Sequence, residues 1–512
     1  MTLVVAGCQA PERPSAPASD LPPPLVPAME LPAAAVDNAV AKLTGIAEEL
    51  MDSSGIPGMA VAVVHGGKTI YAKGFGVKDM RRDDTLDNRV DRDTVFQVAS
   101  VSKSLSASVV ARQVGAGVID WDTPLVSKLP GFALSDPAVT AKVTVGDMFA
   151  HRSGLPDHAG DLLEDLGHDR RYILTKLREL PLEAFRTSYA YTNFGLTAAA
   201  EAVAVASGKP WDQLAADVLY EPLGMASTSS RFADFEDRSN RAVGHIRIED
   251  RYEPRYQRDA DPQAPAGGVS SSVADMAHWL AMVLADGKRG DQQVVDAKAL
   301  LPALSPQIVA NPPTEPAMHA GFYGYGFNVG TTSGARTQLS HSGGFELGAA
   351  ANFVVIPSAD VGIVALTNAT PSGVPETLTA EFADLVQFGA VREDWRRLYR
   401  EKFEEFDAPA GSLVGKPPPS APTPAPPLPE LTGTYANDYW GPATVTERDG
   451  ALILSLGPNA APWPLKHWDG NVFTFGFVSE NAPPGTISKA VFDGDTLTLE
   501  YFDAEGKGTF TR

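Results

Sequence analysis

The chain has 512 residues, and with 44% hydrophobic and 8% aromatic residues it can bury a large core. Its 63 acidic residues against 42 basic ones give a net charge of −21 near pH 7, which argues against nucleic acid and anionic lipid surfaces as electrostatic partners. The length predicts two or three domains. The single cysteine, Cys8, rules out a disulfide within the chain.

Residues 1–35 predict a leader and a tether rather than a folded domain. Residues 3–8 resemble the end of a bacterial lipoprotein signal, which makes Cys8 a lipidation candidate and the Pro-, Ala- and Ser-rich residues 9–27 a flexible tether. This interpretation predicts a periplasmic or secreted bacterial protein, with a lipid anchor in the outer membrane if Cys8 is acylated. The seven residues before Cys8 lack a basic segment and a full apolar segment, so a truncated signal and an accidental match both stay open.

The next residues predict a helix and a hairpin. Residues 36–53 have the apolar spacing of a helix, and two apolar runs, 59–64 and 69–72, follow it. The residues between these two runs include two glycines, which favours a β-hairpin. Further strands are predicted near residue 350, so strands near both ends enclose a helix-rich middle.

The first motif with chemical content is Ser-x-x-Lys, from Ser100 to Lys103. Apolar residues recur at helical intervals after it as far as Gly115, so Ser100 is predicted at or near a helix N-terminus, where free amides and the helix dipole favour an oxyanion. Ser100 and Lys103 would share one helix face. A lysine enclosed with little water can act as a general base towards the serine. Taken alone, the motif is better explained by an N-cap serine and a solvated lysine than by a nucleophile and its base.

The second motif is Tyr-Thr-Asn, from Tyr191 to Asn193, predicted on a loop that leads into a helix over residues 196–206. A phenol whose pKa is lowered by a neighbouring ammonium group such as Lys103 can exchange a proton with Ser100 and protonate a leaving group. Asn193 would orient Lys103 or a substrate amide. The alternative interpretation is a helix-capping asparagine beside a packed tyrosine.

The third motif runs from His341 to Gly344 and precedes two apolar runs, 349–356 and 361–366, which predict an antiparallel pair of strands. Glycines at 343 and 344 would let a substrate backbone approach the strand closely. The Gly344 amide would join that of Ser100 in an oxyanion hole. The alternative is an ordinary Gly-Gly turn.

Together the three motifs resemble those of the serine β-lactamase and penicillin-binding-protein superfamily, in the branch of class C β-lactamases, family VIII esterases and D-aminopeptidases. Three further segments, 151–156, 221–225 and 266–271, resemble segments of the same branch in the same order. The resemblance covers roughly residues 36 to 395. It implies an α+β fold, with one antiparallel sheet flanked by helices, a helical subdomain from the middle of the chain, and the site at their junction.

The resemblance also implies a role for each motif residue. The nucleophile is Ser100, the proton-transfer pair is Lys103 and Tyr191, and the substrate-orienting and substrate-binding residues are Asn193, His341, Ser342 and Gly343. His341 stands where β-lactamases usually have a lysine, and a histidine is largely neutral near pH 7. This departure weakens the case for an efficient β-lactamase and leaves esters, amides and peptides open, including peptides with D-residues.

The C-terminal part predicts a separate domain after a hydrolase domain over residues 36–406. Residues 407–428 are rich in proline and predict a semi-rigid linker. Residues 429–512 alternate short apolar segments with Asp-Gly turns, which predicts a small β-barrel or sandwich, and they resemble the lipocalin-like domains appended to some hydrolases of this superfamily. Four aromatic or imidazole side chains are expected in the core: Trp440, Trp463, His467 and Trp468. The alternative is that they line a ligand mouth or cap the active site of the same or another subunit.

The motifs leave two hypotheses of different class. The first is a serine hydrolase that forms an acyl-enzyme on Ser100 and cleaves small esters or peptide bonds. The second is a cell-envelope penicillin-binding-like protein with weak β-lactamase or DD-peptidase activity, or with binding only. No metal is expected, because His151, His158, His168 and the acidic residues near them look like a solvated loop face, and acyl-enzyme chemistry needs no cofactor. The oligomeric state stays open, and an oligomer is compatible with the sequence.

Overall fold

The computed structural model describes residues 25–249 and 251–512. Cys8, the candidate for lipidation, lies outside the described residues, as does most of the predicted tether. Within the described ranges, no helix combines the length and the apolar character needed to cross a membrane.

The α-helices of the described residues range from one turn to 20 residues. In chain order they are α1 (Ala35–Ser54), α2 (Ser102–Gly115), α3 (Pro137–Thr140), α4 (Val145–Phe149), α5 (Asp161–Asp165), α6 (Arg170–Lys176), α7 (Asn193–Ser207), α8 (Trp211–Ala215), α9 (Glu221–Leu223), α10 (Phe232–Glu236), α11 (Ala264–Gly267), α12 (Val273–Leu284), α13 (Ala297–Leu300), α14 (Val374–Phe388), α15 (Trp395–Phe406) and α16 (Leu428–Leu431).

Helix α1 confirms the first predicted helix and extends it by one residue at each end. Its buried residues include Ala39, Leu43, Ala47 and Leu50, which recur every three or four positions and form one apolar face. The helix ends at Gly55, whose φ of 72° is the left-handed conformation that glycine adopts most easily.

The strands of the region before the barrel are, in chain order, β1 (Gly58–His65), β2 (Lys68–Gly76), β3 (Phe96–Gln97), β4 (Ile246–Ile248), β5 (Arg251–Glu253), β6 (Ser270–Ser271), β7 (Lys288–Arg289), β8 (Gln292–Gln293), β9 (Ile308–Asn311), β10 (Gly321–Tyr323), β11 (Asn328–Thr331), β12 (Thr337–Phe345), β13 (Ala349–Ile356) and β14 (Val361–Thr367). An eight-stranded antiparallel sheet has the order β2-β1-β14-β13-β12-β11-β10-β9. The hairpin near the N-terminus therefore pairs with strands from beyond residue 300, which confirms the predicted α+β architecture.

The two faces of this sheet carry separate cores. On β1, Val61 and Val63 pack with α1 and α14, whereas Ala60, Ala62 and Val64 belong to the core of the helical region on the other face. Because alternate residues of a strand point to opposite faces, a strand that is buried on both sides reads as a continuous apolar run. The strands predicted over 349–356 and 361–366 are confirmed as β13 and β14, the second with one more residue.

The C-terminal region is a nearly closed eight-stranded barrel. Its strands are β15 (Gly433–Tyr435), β16 (Ala443–Arg448), β17 (Ala451–Leu456), β18 (Trp463–Asp469), β19 (Val472–Gly476), β20 (Ile487–Asp493), β21 (Thr496–Leu499) and β22 (Thr509–Thr511). Each strand pairs antiparallel with the next, and a bridge between Ala436 and Thr511 joins the first strand to the last. The Asp-Gly turns are confirmed, since Gly450, Gly470 and Gly494 all have positive φ angles.

The barrel core is aromatic. Trp440 is buried, and the Trp463 ring stacks on Phe475 and Phe477 at centroid distances of 5.3 and 5.1 Å. These contacts confirm the core prediction for the two tryptophans. His467 is exposed and Trp468 is half-buried, so the prediction was wrong for these two side chains, which lie at the end of β18 beside a turn.

Candidate active site

Ser100 lies in a single 3₁₀ turn, Ala99–Val101, that leads directly into α2. The prediction that it begins a helix is therefore confirmed. Short strand β3 pairs with β6 just before this turn, and Ala99 has a φ of 45°, a conformation that non-glycine residues seldom adopt. A strained turn between a strand and a helix presents the serine side chain at the helix N-terminus, where backbone amides have no helical acceptor.

Lys103 follows one turn later and is fully buried. Its Nζ atom lies 3.0 Å from Ser100 Oγ, 2.6 Å from Asn193 Oδ1 and 3.0 Å from the Ala266 carbonyl oxygen. Burial lowers the pKa of Lys103 from 10.5 to about 7, against the opposing charge of Asp161. Near neutral pH a large fraction of the lysine is therefore an uncharged amine.

The three neighbours of Lys103 differ in what they can do. The Asn193 amide oxygen and the Ala266 carbonyl can only accept hydrogen bonds, whereas the Ser100 hydroxyl can donate one. A neutral amine has two N–H donors and one lone pair. When the two donors serve the two obligate acceptors, the lone pair faces the Ser100 hydroxyl, which is the arrangement of a general base.

Tyr191 contacts the same two residues. Lys103 Nζ lies over its ring, 4.5 Å from the centroid, and its phenol is hydrogen-bonded to Ser100. The prediction that Lys103 lowers the pKa of Tyr191 was wrong. Burial raises that pKa well above 10 and outweighs the hydrogen bond to Ser100, which lowers it. The phenol therefore keeps its proton, so it can donate one hydrogen bond and accept another.

Asn193 is the first residue of α7, and its orientation is fixed by a carboxylate. Its Nδ2 atom donates to Asp161 Oδ2 over 2.8 Å, which turns its Oδ1 atom towards Lys103. The same Asp161 oxygen lies 2.9 Å from His158 Nδ1. Although desolvation opposes it, the Asp161 carboxylate raises the pKa of His158. A chain of hydrogen bonds thus runs from Lys103 through Asn193 and Asp161 to His158.

The prediction of a solvated loop face holds for His158 and Asp157, whose side chains are more than half exposed, but was wrong for His151 and Asp161. Asp161 is buried with its Oδ1 atom lacking a hydrogen-bond partner, and His151 is buried against Tyr191 with ring centroids 4.4 Å apart. The only signal in the sequence was the resemblance of segment 151–156, which precedes Asp161 by five residues. Within residues 25–249 and 251–512, no group of three or more His, Cys, Asp and Glu side chains is placed to hold a metal ion.

His341 lies on β12 and is held in one neutral tautomer. Its Nδ1 atom lies 2.6 Å from the Ser342 carbonyl oxygen, which can only accept, so Nδ1 carries the proton. Its Nε2 atom then accepts from the Tyr323 hydroxyl over 2.8 Å. Burial lowers the pKa of His341 to about 3, in agreement with the predicted neutral side chain. Tyr323, on β10, was not singled out by the sequence.

The free edge of β12 faces Ser100. Strand β11 pairs only with residues 337–340 of β12. Within the part of the chain that the structure describes, the following residues of β12 have no partner strand on that side and contact the 3₁₀ turn that carries Ser100. A Cβ atom on Gly343 would lie 2.2 Å from the Val98 carbonyl oxygen and 2.9 Å from the Ser100 nitrogen, so only glycine fits there. The structure thus brings Gly343 and its neighbour Gly344 to the N-terminal end of α2.

The Ser342 side chain points towards β13 and α14. Its hydroxyl accepts a hydrogen bond from Asn352 Nδ2 over 2.8 Å and is also hydrogen-bonded to Glu376. Burial raises the pKa of Glu376 to about 7. Asn352 is held in turn by Thr379, whose hydroxyl donates to Asn352 Oδ1 over 2.6 Å. The sequence missed this support for β12, because its residues come from β13 and α14.

A protein-family model described as beta-lactamase matches residues 43–388, about two thirds of the chain. The chain belongs to the β-lactamase family. This placement explains why the three motifs, far apart in the sequence, converge on one serine. A second model, described as a domain of unknown function (DUF3471), matches residues 417–509, which include all of the barrel except the end of β22.

Relatives and solved structures agree with this placement in the β-lactamase family. An unguisins hydrolase of Aspergillus violaceofuscus is 27% identical over 445 residues, which cover 80% of this chain and 75% of the relative. Penicillin-binding protein 4 of Amycolatopsis lactamdurans is 28% identical over 403 residues, which cover 76% of this chain and 95% of the relative. The octameric penicillin-binding protein homologue from Pyrococcus abyssi superposes with a TM-score of 0.60 at 19% identity, covering 92% of this chain and all of the homologue, and so shares the fold.

Proposed function

We propose that this β-lactamase-family protein is a serine hydrolase that forms an acyl-enzyme on Ser100 and cleaves small esters or peptide and amide bonds, including bonds to D-residues. The observation that carries the proposal is the position of Lys103, whose buried amine lies 3.0 Å from Ser100 Oγ while two obligate acceptors occupy its N–H groups. Such an amine is poised to take the serine proton.

In the proposed reaction, Lys103 Nζ takes the Ser100 proton as Oγ bonds to the substrate carbonyl carbon. The carbonyl oxygen becomes an oxyanion, which the amides of Ser100 and Gly344 would stabilise. When the tetrahedral intermediate collapses, the bond to the leaving group breaks and that group takes the proton from Lys103, directly or through the Tyr191 hydroxyl. A water molecule then attacks the acyl carbon while Lys103 takes its proton. The bond from that carbon to Ser100 Oγ breaks, and Oγ takes the proton back from Lys103.

The substrate class is proposed from His341. Because this side chain is neutral and its two nitrogens are already paired, it offers no cation to a substrate carboxylate. Neutral esters and amides are therefore the favoured substrates. The second candidate is a penicillin-binding-like protein that acylates but turns over slowly. It is favoured by the similarity to penicillin-binding protein 4, which extends over almost the whole of that relative.

Intact-mass spectrometry during turnover tests the proposal. The substrates are a short-chain p-nitrophenyl ester, a D-amino acid amide, a linear peptide and a chromogenic cephalosporin, with Ser100→Ala as the control. Turnover that disappears in Ser100→Ala, with an adduct on the wild type wherever deacylation is slow, supports the hydrolase. A long-lived adduct without turnover supports the second candidate. Undiminished turnover in Ser100→Ala contradicts both.

The pH dependence of kcat/KM is expected to show an acid limb centred near pH 7. Lys103, whose pKa burial lowers to about 7, must be unprotonated to act as the base, so the rate falls as the pH drops through that value. His341 stays neutral throughout and adds no limb. Steady-state kinetics from about pH 5 to 9 with the best ester measure this profile. A flat profile over that range would contradict the role of Lys103.

The variant His341→Lys is expected to improve kcat/KM for the cephalosporin relative to the neutral ester by about tenfold, because a cation on β12 can pair with a substrate carboxylate. The matched control is His341→Gln, which keeps a neutral polar side chain. The ratio of the two kcat/KM values is the measured quantity. An equal ratio in the two variants would show that this position does not select for substrate charge.

A further inference from the structure

Helix α5 links the site to the barrel. It has only five residues, too few to be stable without tertiary contacts, so its position depends on what holds its two ends. Its first residue, Asp161, holds Asn193 and thereby orients Lys103. Its last residue, Asp165, is hydrogen-bonded to a loop of the barrel.

The Asp165 carboxylate receives three hydrogen bonds from one barrel loop. The Ser479 hydroxyl donates to Asp165 Oδ2 over 2.6 Å, and Asn481 donates to the same oxygen from its backbone nitrogen over 3.2 Å and from Nδ2 over 3.0 Å. This loop connects β19 to β20. A half-buried carboxylate with three donors is costly to displace, because losing one partner leaves the rest of the group poorly solvated.

A second barrel loop holds the residues just after α5. The Asn459 backbone nitrogen donates to the Leu166 carbonyl oxygen over 3.2 Å. Gly167 has a φ of 91°, and a Cβ atom there would lie 2.3 Å from Asn459 Oδ1. The C-terminal end of α5 therefore fits between two loops of the barrel, and a larger residue at Gly167 would be strained and would displace the Asn459 side chain.

The loop that holds Asp165 also reaches the other wall of the site. Glu480 accepts hydrogen bonds from the backbone nitrogens of Glu346 and Leu347, over 3.0 and 3.4 Å, directly after β12 ends. Arg258 lies between the two walls: its Nη2 atom donates to Glu164 Oε2 over 2.6 Å, and its Nε atom lies 3.8 Å from Glu480. Residues 479–481 thus connect α5 to the strand that carries Gly343 and Gly344.

We propose that the C-terminal barrel positions Asp161, and through Asn193 the amine of Lys103, by holding the far end of α5 with Ser479 and Asn481. Asp165, Ser479 and Asn481 are then positioning residues for acylation, although none of them touches Ser100 or Lys103. The inference rests on the proposed function, since it concerns the base in the same reaction.

A loosened α5 should change how Lys103 titrates. Asp161 opposes the effect of burial on the pKa of Lys103, so moving its charge away lowers that pKa further. The side chains that face Lys103 are Asp161 on α5, Tyr191 ahead of α7, His151 and His158 on the loop before α5, and His341 on β12. Asp161 is hydrogen-bonded to His158, and its charge interacts with Glu164 and Tyr439.

The test measures the rate at which a fluorophosphonate labels Ser100 as a function of pH, by intact mass, in full-length variants. The label forms an O–P bond as fluoride leaves and the base takes the serine proton, so no turnover is needed. The variants are Ser479→Ala with Asn481→Ala, Asn481→Ala alone as the milder change, and Asp161→Asn. Thr498→Ala, which removes a barrel hydrogen bond to Thr509 away from α5, is the matched control. Thermal unfolding establishes that each variant is folded.

The expected result is that the acid limb of labelling moves to lower pH in the double variant by about half a unit, in the same direction as in Asp161→Asn. When Ser479→Ala and Asn481→Ala are added to Asp161→Asn, the acid limb should not move further, because the residue through which the barrel acts has lost its charge. Thr498→Ala should leave the limb unchanged.

Two results would overturn the inference while leaving the proposed function intact. One is a lower labelling rate at every pH with the limb in place, which is what a purely structural role predicts. The other is a shift to higher pH, because admission of water to Lys103 would raise its pKa. Failure of the wild type to be labelled at Ser100 would instead contradict the proposed function.

Discussion

The variant Lys103→Met is expected to acylate Ser100 about 10²–10⁴ times more slowly than the wild type, the usual contribution of a positioned general base. Lys103 supplies a basic lone pair 3.0 Å from Ser100 Oγ, and methionine has about the same length without a basic nitrogen. Tyr191 cannot replace it, because burial raises the pKa of its phenol and keeps it protonated. Single-turnover acylation followed by intact mass measures the rate.

The fold of Lys103→Met should survive, because methionine places no charge in a fully buried position. The matched control is Lys103→Arg, which keeps a side chain of similar length but remains protonated at all accessible pH values. Both variants should acylate slowly, and the acid limb near pH 7 should disappear in both. Acylation by Lys103→Met at the wild-type rate would mean that another group takes the serine proton.

The sequence predicted the parts of the site that lie within short motifs. Ser100 and Lys103 are three residues apart, so their shared helix face follows from helix geometry alone. Tyr191 precedes α7 and Asn193 begins it, and the sequence placed the start of this helix within three residues of the observed one. Strands β13 and β14 were recognisable because each is a continuous apolar run bounded by turn residues.

What could not be predicted depends on tertiary contact. Asp161 acts on Lys103 only because α5 is hydrogen-bonded to the first residue of α7, and a five-residue helix leaves little periodic signal in a sequence. Tyr323 reaches His341 from another strand of the sheet. The direction of the Tyr191 pKa shift was wrong because burial of the phenol, a tertiary property, sets its sign.

The variant Gly343→Ala is expected to lower the acylation rate by about 10²-fold, because the edge of β12 and the turn that carries Ser100 can no longer approach as closely. The added Cβ atom would lie 2.2 Å from the Val98 carbonyl oxygen and 2.9 Å from the Ser100 nitrogen, and both of these atoms belong to the backbone. Either the strand or the turn must move by several tenths of an ångström. That movement misplaces the nucleophile relative to both proposed oxyanion-hole amides.

The matched control is Gly330→Ala, on the neighbouring strand β11, where an added Cβ atom meets no other atom within 4 Å. Gly330→Ala should keep the wild-type acylation rate, whereas Gly343→Ala should lose both rate and about 1–3 kcal/mol of unfolding free energy through overpacking. Acylation rates and chemical denaturation of the two variants separate these effects. If Gly343→Ala is destabilised but acylates at the wild-type rate, the close approach of β12 to Ser100 serves the fold and not the chemistry. That result would also contradict the proposed oxyanion-hole role of the β12 edge.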